Sequence, residues 1–226
     1  MASSFSSFIT RRYCIALMAQ MGLQGPISAL AAPARTPKNQ KLLVLGDSLS
    51  AEYGLARGSG WVALLEQRLA AQKTTATVIN ASISGDTSSG GRSRLPALLQ
   101  RHQPTLVIIE LGGNDALRGL PVQMTQDNLL AMTQAAQAIQ AKVLLLGMQM
   151  PPNYGQDYAE RFTKVFTTVA KTSGAALVPF FLKNVADGPQ AQELFQNDRL
   201  HPNAAAQPLL LDNVWPSIKK LLAQST

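Results

Sequence analysis

Short apolar runs alternate with helical patterns along the chain from residue 41 onward. Five of these runs are nearly uninterrupted in Leu, Val and Ile, as is typical of strands buried on both faces of a parallel sheet. The predicted strands are Lys41–Leu45, Thr77–Asn80, Thr105–Glu110, Lys142–Gly147 and Ala176–Val178. The pattern therefore indicates a sheet whose strands are separated by connecting segments of helical length.

The connecting segments have the spacing of amphipathic helices. In the first of them, Trp61, Leu65 and Leu69 recur at every fourth position and would face the sheet. The other predicted helices are roughly Arg92–Arg101, Pro121–Gln140, Gln156–Thr172 and Asn203–Ala223. Strand–helix alternation predicts a doubly wound α/β domain with right-handed crossovers. In such a sheet, functional groups lie beyond the C-terminal ends of the strands.

The first 40 residues follow a different pattern. No acidic residue precedes Asp47, and Arg11 and Arg12 precede an apolar stretch that ends in the small-x-small sequence Ala29-Leu30-Ala31. This layout predicts a secretory signal peptide over residues 1–31, a polar linker over 32–40 and a folded domain over 41–226. Twin-arginine export and an organelle transit peptide are alternative explanations. We expect a periplasmic or secreted protein.

Composition narrows the possible functions. Hydrophobic residues make up 46% of the chain and charged residues 15%, which is a globular composition. The net charge is +7, or +5 after Ala31, without any basic run, so nucleic acid is not an expected partner. The excess charge suits solubility, or transient contact with lipid surfaces. The only cysteine, Cys14, lies in the leader, so we expect no disulfide and no cysteine metal site. We also expect no metal, no cofactor and a monomer.

The first predicted strand ends at Gly46-Asp47-Ser48, which places a serine at the strand's C-terminal end. A serine hydroxyl is a weak nucleophile and needs an adjacent base. His102 ends a helical pattern, where the helix dipole favours it. His201 follows Asp198 by three residues on a loop, and that spacing lets the carboxylate orient the imidazole. Asp198 could instead cap a helix, but a catalytic role is favoured by Ser48.

Two further turns follow predicted strands and could stabilise a developing oxyanion. The N–H group of Gly85 is one candidate donor, because glycine allows close approach. The side-chain amide of Asn114, in Gly112-Gly113-Asn114-Asp115, is the other. Both segments are also typical of ordinary turns. Their positions after parallel strands, like that of Ser48, favour the donor role.

Four blocks of the chain resemble those of the GDSL, or SGNH, hydrolase family. They are Gly46–Ser50, Asn80–Thr87, Gly112–Asp115 and Asp198–Pro202. The segment Met148–Gly155 resembles one bacterial periplasmic branch, described as acyl-CoA thioesterase, lysophospholipase, protease-like esterase and arylesterase. The resemblance extends from about Leu42 to Leu222. Glu52-Tyr53 replaces the small glycine-bearing turn usual in the family, so we expect an altered pocket rim.

The resemblance implies a three-layer αβα sandwich with a flavodoxin-like, five-stranded parallel sheet of order 2-1-3-4-5. It also implies Ser48 as nucleophile, His201 as base and Asp198 as the residue that orients the base. The oxyanion donors would be the N–H groups of Ser48 and Gly85 and the side chain of Asn114.

Together, the motifs predict a hydrolase of carboxylic esters and thioesters, namely aryl esters, acyl-CoA and lysophospholipids, with an acyl-enzyme on Ser48. The apolar residues Met148, Met150 and Pro151 are expected to line the acyl pocket. A carbohydrate acetylesterase or glycan-binding protein of the same fold is the alternative, and an aromatic content of 6% disfavours it. A non-catalytic flavodoxin-like binding module is a third possibility. Because no Gly-x-Ser-x-Gly elbow occurs, an ordinary α/β-hydrolase is disfavoured.

Overall fold

The structure is a computed structural model that describes residues 40–150 and 154–224. The predicted signal peptide, the linker up to residue 39 and the predicted pocket residue Pro151 lie outside the described residues.

The centre of the fold is one parallel sheet with the strand order β2-β1-β3-β4-β5. The strands are β1 Gln40–Gly46, β2 Ala76–Asn80, β3 Leu106–Glu110, β4 Lys142–Leu146 and β5 Ala176–Val178. Both the predicted fold class and the predicted order are confirmed, and each strand end lies within one residue of its predicted position. β1 begins at Gln40, the last residue of the predicted linker, because the Gln40 N–H donates to the carbonyl of Thr75.

Helices cover both faces of the sheet. They are α1 Trp61–Ala71, α2 Ser88–His102, α3 Gly113–Leu117, α4 Val122–Ala138, α5 Gln156–Ser173 and α6 Gln207–Ala223, with short 3₁₀ helices at Ala191–Glu193 and Ala204–Ala206. Helices α2, α4 and α5 pack side by side, and α1 packs against α6, which gives the predicted three layers. No helix among residues 40–150 and 154–224 is both long and apolar enough to cross a membrane.

Helix α2 begins four residues before its predicted start. The Ser88-Ser89-Gly90-Gly91 segment has low helix propensity, but Thr87 caps the helix by accepting a hydrogen bond from the Gly90 N–H at 3.2 Å. The short helix α3 was not predicted, because Gly112-Gly113-Asn114-Asp115 at its start is also typical of a turn. The predicted last helix is divided, because Asn203 starts the 3₁₀ helix Ala204–Ala206 ahead of α6.

The core lies between the sheet and the helices. Leu42–Leu45 of β1 and Val107–Ile109 of β3 are fully buried, as expected for central strands. Trp61, Leu65 and Leu69 of α1 are also buried, which confirms the predicted inward face of that helix. β1 and β3 pair so that Gly46 lies beside Glu110. The segments that carry Ser48 and Asn114 therefore leave the sheet next to each other.

Candidate active site

Three of the predicted site residues form a hydrogen-bonded chain at the C-terminal edge of the sheet. The Oγ atom of Ser48 lies 2.9 Å from Nε2 of His201. On the other side of the imidazole, Nδ1 lies 2.6 Å from Oδ2 of Asp198. A hydroxyl, an imidazole and a carboxylate in this order can move a proton from the hydroxyl to the ring while the carboxylate stabilises the resulting cation.

The Asp198–His201 turn holds the carboxylate in place. Oδ1 of Asp198 accepts the backbone N–H groups of Leu200 and His201, at 2.9 and 3.0 Å. Hydrogen bonds from the His201 side chain, then from those two N–H groups, lower the pKa of Asp198 to about 2. Asp198, whose side chain is 40% exposed, is therefore ionised at neutral pH. The sequence left open whether Asp198 caps backbone N–H groups or orients His201. In the structure it does both.

The candidate oxyanion donors lie beside the serine. Ser48, Gly85 and Asn114 line the same cavity. Within residues 40–150 and 154–224, no protein group accepts a hydrogen bond from the N–H of Ser48 or of Gly85. Gly85 has φ of +76°, a backbone conformation that favours glycine. Both N–H groups are therefore available to a ligand in the cavity.

Two arginines fix the loop that carries Gly85. Arg118 donates to the carbonyl of Gly85 at 2.8 Å. Arg94 pairs with Asp86 at 2.8 Å and also donates to the carbonyl of Ala81. The carbonyl of Gly85 and the side chain of Asp86 are therefore both held, which restrains the loop beside the N–H of Gly85.

A pair of buried carboxyl groups lies beneath the serine, and neither was predicted to act at the site. Asp47 is 2% exposed and Glu110 is 1% exposed. Burial is the main cause that raises the pKa of Asp47 to about 6. Burial, followed by the neighbouring charge of Asp47, also raises the pKa of Glu110. One feature of the sequence could have indicated this pair: Glu110 is the only charged residue of β3.

The cavity in front of Ser48 has a volume of about 650 Å³ and a largely apolar wall. Met148 and Met150 line it, as predicted. The other apolar lining residues are Leu49, Leu117, Phe180, Leu182, Ala186, Phe195 and Leu200. The wall also holds two tyrosines, Tyr53, from the segment expected to alter the rim, and Tyr154, which was not predicted to line the pocket. A volume of this size admits a medium-length acyl chain or an aromatic ring.

The unusual Glu52-Tyr53 segment does shape the rim of this cavity. Glu52 adopts a φ of +59°, and its carboxylate accepts the N–H groups of Gly58 and Gly60. The ring of Tyr53 packs on the His201 imidazole, with centroids 4.4 Å apart. Gln196 fixes the segment by donating to the carbonyl of Tyr53 at 2.9 Å. Tyr53 thus covers one side of the imidazole.

His102 lies away from the site, at the last position of α2, as predicted. No group of three or more His, Cys, Asp or Glu side chains among residues 40–150 and 154–224 has an arrangement that could hold a metal ion.

Fold and site together are those of a hydrolase of the flavodoxin-like αβα type, and comparison with known proteins identifies the family. The model of the GDSL-like lipase/acylhydrolase family matches residues 44–208. The chain belongs to this family, so the resemblance in its four sequence blocks is confirmed.

Proteins similar to this chain include esterases and a thioesterase. It is 56% identical to Esterase TesA of Pseudomonas aeruginosa over 81% of this chain and 90% of that protein. It is 45% identical to Thioesterase 1/protease 1/lysophospholipase L1 of Escherichia coli strain K12 over 80% of this chain and 84% of that protein. A crystal structure of the esterase EstA from Pseudoalteromonas sp., inhibited by monoethylphosphonate, matches with a TM-score of 0.77 and 47% identity, over 81% and 99% of the two chains.

Proposed function

We propose that this protein hydrolyses carboxylic esters and thioesters through a covalent acyl-enzyme on Ser48. The observation that carries the proposal is the Ser48–His201–Asp198 chain, with distances of 2.9 and 2.6 Å, at the wall of an apolar cavity. The activities named for similar proteins, esterase, thioesterase and lysophospholipase, support the same reaction class.

In the first half-reaction, Ser48 Oγ attacks the acyl carbon while its proton passes to Nε2 of His201. The carbonyl π electrons move to the oxygen, where the N–H groups of Ser48 and Gly85 and the amide of Asn114 would donate hydrogen bonds. The ionised Asp198 stabilises the imidazolium that forms. When the tetrahedral intermediate collapses, the bond to the leaving oxygen or sulfur breaks and the imidazolium returns its proton to that atom.

The second half-reaction repeats these steps with water. Nε2 of His201 takes a proton from a water molecule, and the resulting oxygen nucleophile attacks the acyl-enzyme. The carbon–Oγ bond then breaks, Ser48 recovers its proton from the imidazolium, and the carboxylic acid leaves. No residue other than Ser48 forms a covalent bond to the acyl group: His201 carries the proton, and the other residues donate or accept hydrogen bonds.

The cavity supports a broad range of acyl substrates. Its wall is mainly hydrophobic, with the flexible side chains Met148 and Met150 among its members. One methylene changes binding in such a pocket by only about 1–3 kcal/mol. We therefore include aryl esters, acyl-CoA and lysophospholipids among the substrates.

One experiment tests the reaction class and the nucleophile. Purified protein would be assayed against p-nitrophenyl esters, acyl-CoA and a lysophospholipid, then treated with a fluorophosphonate and mapped by mass spectrometry. We expect turnover of all three classes and a single label on Ser48. The exposed Ser89 of α2 offers a matched control, because Ser89→Ala should keep both activity and label. A label elsewhere, or turnover that survives full labelling, would contradict the proposal.

A carbohydrate esterase is the second candidate, and one observation favours it. Tyr53 and Tyr154 line the cavity and are 50% and 43% exposed. Exposed aromatic rings at a cavity mouth can stack on sugar rings. Acetylated xylose and acetylated glucosamine therefore belong in the substrate panel. A kcat/KM for either sugar that exceeds those for the aryl esters and thioesters would favour this second function.

The rim also supports transient contact with lipid surfaces. Four exposed hydrophobic residues line the cavity: Tyr53, Leu117, Tyr154 and Leu200. We propose that this rim touches a micelle or bilayer when lysophospholipid is the substrate. Sedimentation with phosphatidylcholine vesicles tests the contact, and replacing Leu117 and Leu200 together by serine should weaken it.

We further propose that the protein is exported and acts as a monomer. The composition of residues 1–31 supports cleavage of a leader, so the mature chain would begin near Ala32 or Arg35. N-terminal sequencing of exported protein and light scattering in solution test the two statements. A mature protein that retains Met1 would contradict the first.

A further inference from the structure

Asp47, which precedes the nucleophile, makes a contact that the sequence motif did not explain. The Nδ2 atom of Asn114 lies 2.9 Å from Oδ2 of Asp47 and donates to it. The other oxygen of Asp47, Oδ1, accepts the N–H of Leu49 at 3.0 Å. Both carboxylate oxygens of Asp47 therefore have a donor, and one donor is the side chain proposed for the oxyanion site.

The contact matters because an amide nitrogen carries two hydrogens. One hydrogen of Asn114 Nδ2 is used by Asp47, which leaves the second for a ligand in the cavity that Asn114 lines. A carboxylate has no hydrogen to donate, so it accepts only from the nitrogen end of the amide. If the amide turned over, its oxygen would meet the carboxylate and the oxyanion site would lose a donor.

Glu110 supports Asp47 from below. Its Oε2 accepts the backbone N–H of Asp47 at 3.2 Å and the hydroxyl of Ser50 at 2.8 Å. The indole N–H of Trp61 donates in turn to the hydroxyl of Ser50 at 3.2 Å. A Cβ atom on Gly46 would lie only 2.8 Å from Oε2 of Glu110 and equally close to Cβ and Oγ of Ser50, so the glycine of the serine motif leaves room for both side chains.

The ionisation of the pair fits this arrangement. Burial, followed by the charge of Asp47, raises the pKa of Glu110, so Glu110 is the carboxyl group of the pair that holds a proton. A neutral Glu110 still accepts the N–H of Asp47, while Asp47 keeps the charge that attracts the Asn114 amide. Two ionised carboxylates in the same buried place would repel each other.

From these contacts we infer that Asp47 is a positioning residue that aims the Asn114 amide at the oxyanion, and that Glu110 is the buried acid that holds Asp47. The inference rests on the proposed hydrolase function, because it concerns the oxyanion of that reaction. Neither carboxyl group touches the reacting atoms, since both act through Asn114 or through the backbone.

A double-mutant cycle on kcat tests the inference. Asp47→Asn introduces a second amide that can turn the Asn114 amide over, so we expect kcat to fall about 10²-fold, as for the loss of one oxyanion donor. KM should change by less than about 3-fold. In an Asn114→Ala background the same change should lower kcat by less than about 3-fold, because the group that it positions is gone. A purely structural role would give the same factor in both backgrounds and would overturn the inference.

Glu110 gives a second cycle that does not depend on folding of the Asp47 variant. Glu110→Gln keeps a neutral donor and acceptor, and we expect its kcat to stay within about 3-fold of wild type. Glu110→Leu removes both, and kcat should fall at least about 10-fold in the wild-type background but little in the Asn114→Ala background. Equal losses in Glu110→Gln and Glu110→Leu would contradict the role of Glu110.

Two controls separate the possible failures. Asp212→Asn removes an exposed carboxylate that pairs with Arg68 on the surface, and it should leave kcat unchanged. Wild-type protein that takes no fluorophosphonate label and cleaves no ester refutes the proposed function. An active wild type labelled on Ser48, with additive cycles for Asp47 and Glu110, refutes only this inference.

Discussion

The two halves of the candidate active site are built in opposite ways. The base half, Asp198 and His201, lies within one turn of four residues, and Asp198 is 40% exposed. The oxyanion half joins Asp47 to Glu110 and to Asn114, which are 63 and 67 residues away, and both of its carboxyl groups are buried. The pKa of Asp198 falls to about 2, whereas that of Asp47 rises to about 6.

The difference shows how the surroundings of a carboxylate decide its effect on the protein. Asp198 stays near water and gains three hydrogen bonds, so its charged form is favoured on folding. Asp47 also accepts hydrogen bonds, but burial outweighs them and disfavours the charge. The base half is therefore stabilised by hydrogen bonds within its own turn. In the oxyanion half, the surrounding fold must compensate for keeping the charge of Asp47 in a buried site.

The largest expected effect comes from removing the nucleophile that both halves serve. Ser48→Ala should lower kcat by about 10⁴-fold or more, because the hydroxyl and its base act as a unit. The variant should fold normally, since Ser48 lies at the cavity wall. Rates with p-nitrophenyl butyrate and thermal melting of both proteins are the measurements. A variant that retains a tenth of wild-type kcat would exclude Ser48 as the nucleophile.

Breaking the base half should have the next largest effect. Asp198→Asn replaces the acceptor of the His201 Nδ1–H with an amide that can stabilise the wrong tautomer, and kcat should fall roughly 10³- to 10⁴-fold. Because Asp198 is exposed, the melting temperature should change little. Steady-state kinetics and calorimetry on the same sample check both statements. A loss below 10-fold would mean that Asp198 is only the cap of the turn.

Breaking the oxyanion half should cost less. Asn114→Ala removes one of three candidate donors, and kcat should fall by roughly 10²–10³ with little change in KM. The mechanism predicts the same factor for esters and thioesters, because both pass through the same oxyanion. If KM rose and kcat stayed constant, Asn114 would bind the ground state instead.

The two halves also differ in how far the sequence could predict them. Asp198-x-x-His201 and the glycine-asparagine block are local patterns, and the structure brings their residues together around Ser48 as expected. The Asp47–Glu110 pair depends on the register that puts Gly46 beside Glu110, which no local pattern fixes. The contact of Tyr53 with His201 was missed for the same reason, because it needs the path of two loops. The early start of α2 was missed because its cap outweighs the low propensity of its first residues.

The smallest expected effect concerns stability. It is the free energy of unfolding that the protein loses, as pH rises, because Glu110 is buried. Burial raises the pKa of Glu110 above its usual value of 4.5, so the folded protein binds a proton that the unfolded chain releases. The stabilisation by this group is therefore complete below pH 4.5 and is lost as pH rises toward the folded pKa, by at most about 1.4 kcal/mol per pH unit. Glu110→Gln has no such proton to release, so its free energy of unfolding should rise relative to that of wild type between pH 4.5 and 7.5. Urea unfolding at four pH values in that range, with the exposed-site variant Asp212→Asn as the matched control, gives the comparison. Parallel curves for wild type and Glu110→Gln would mean that Glu110 titrates alike in both states, and that the buried pair imposes no such cost.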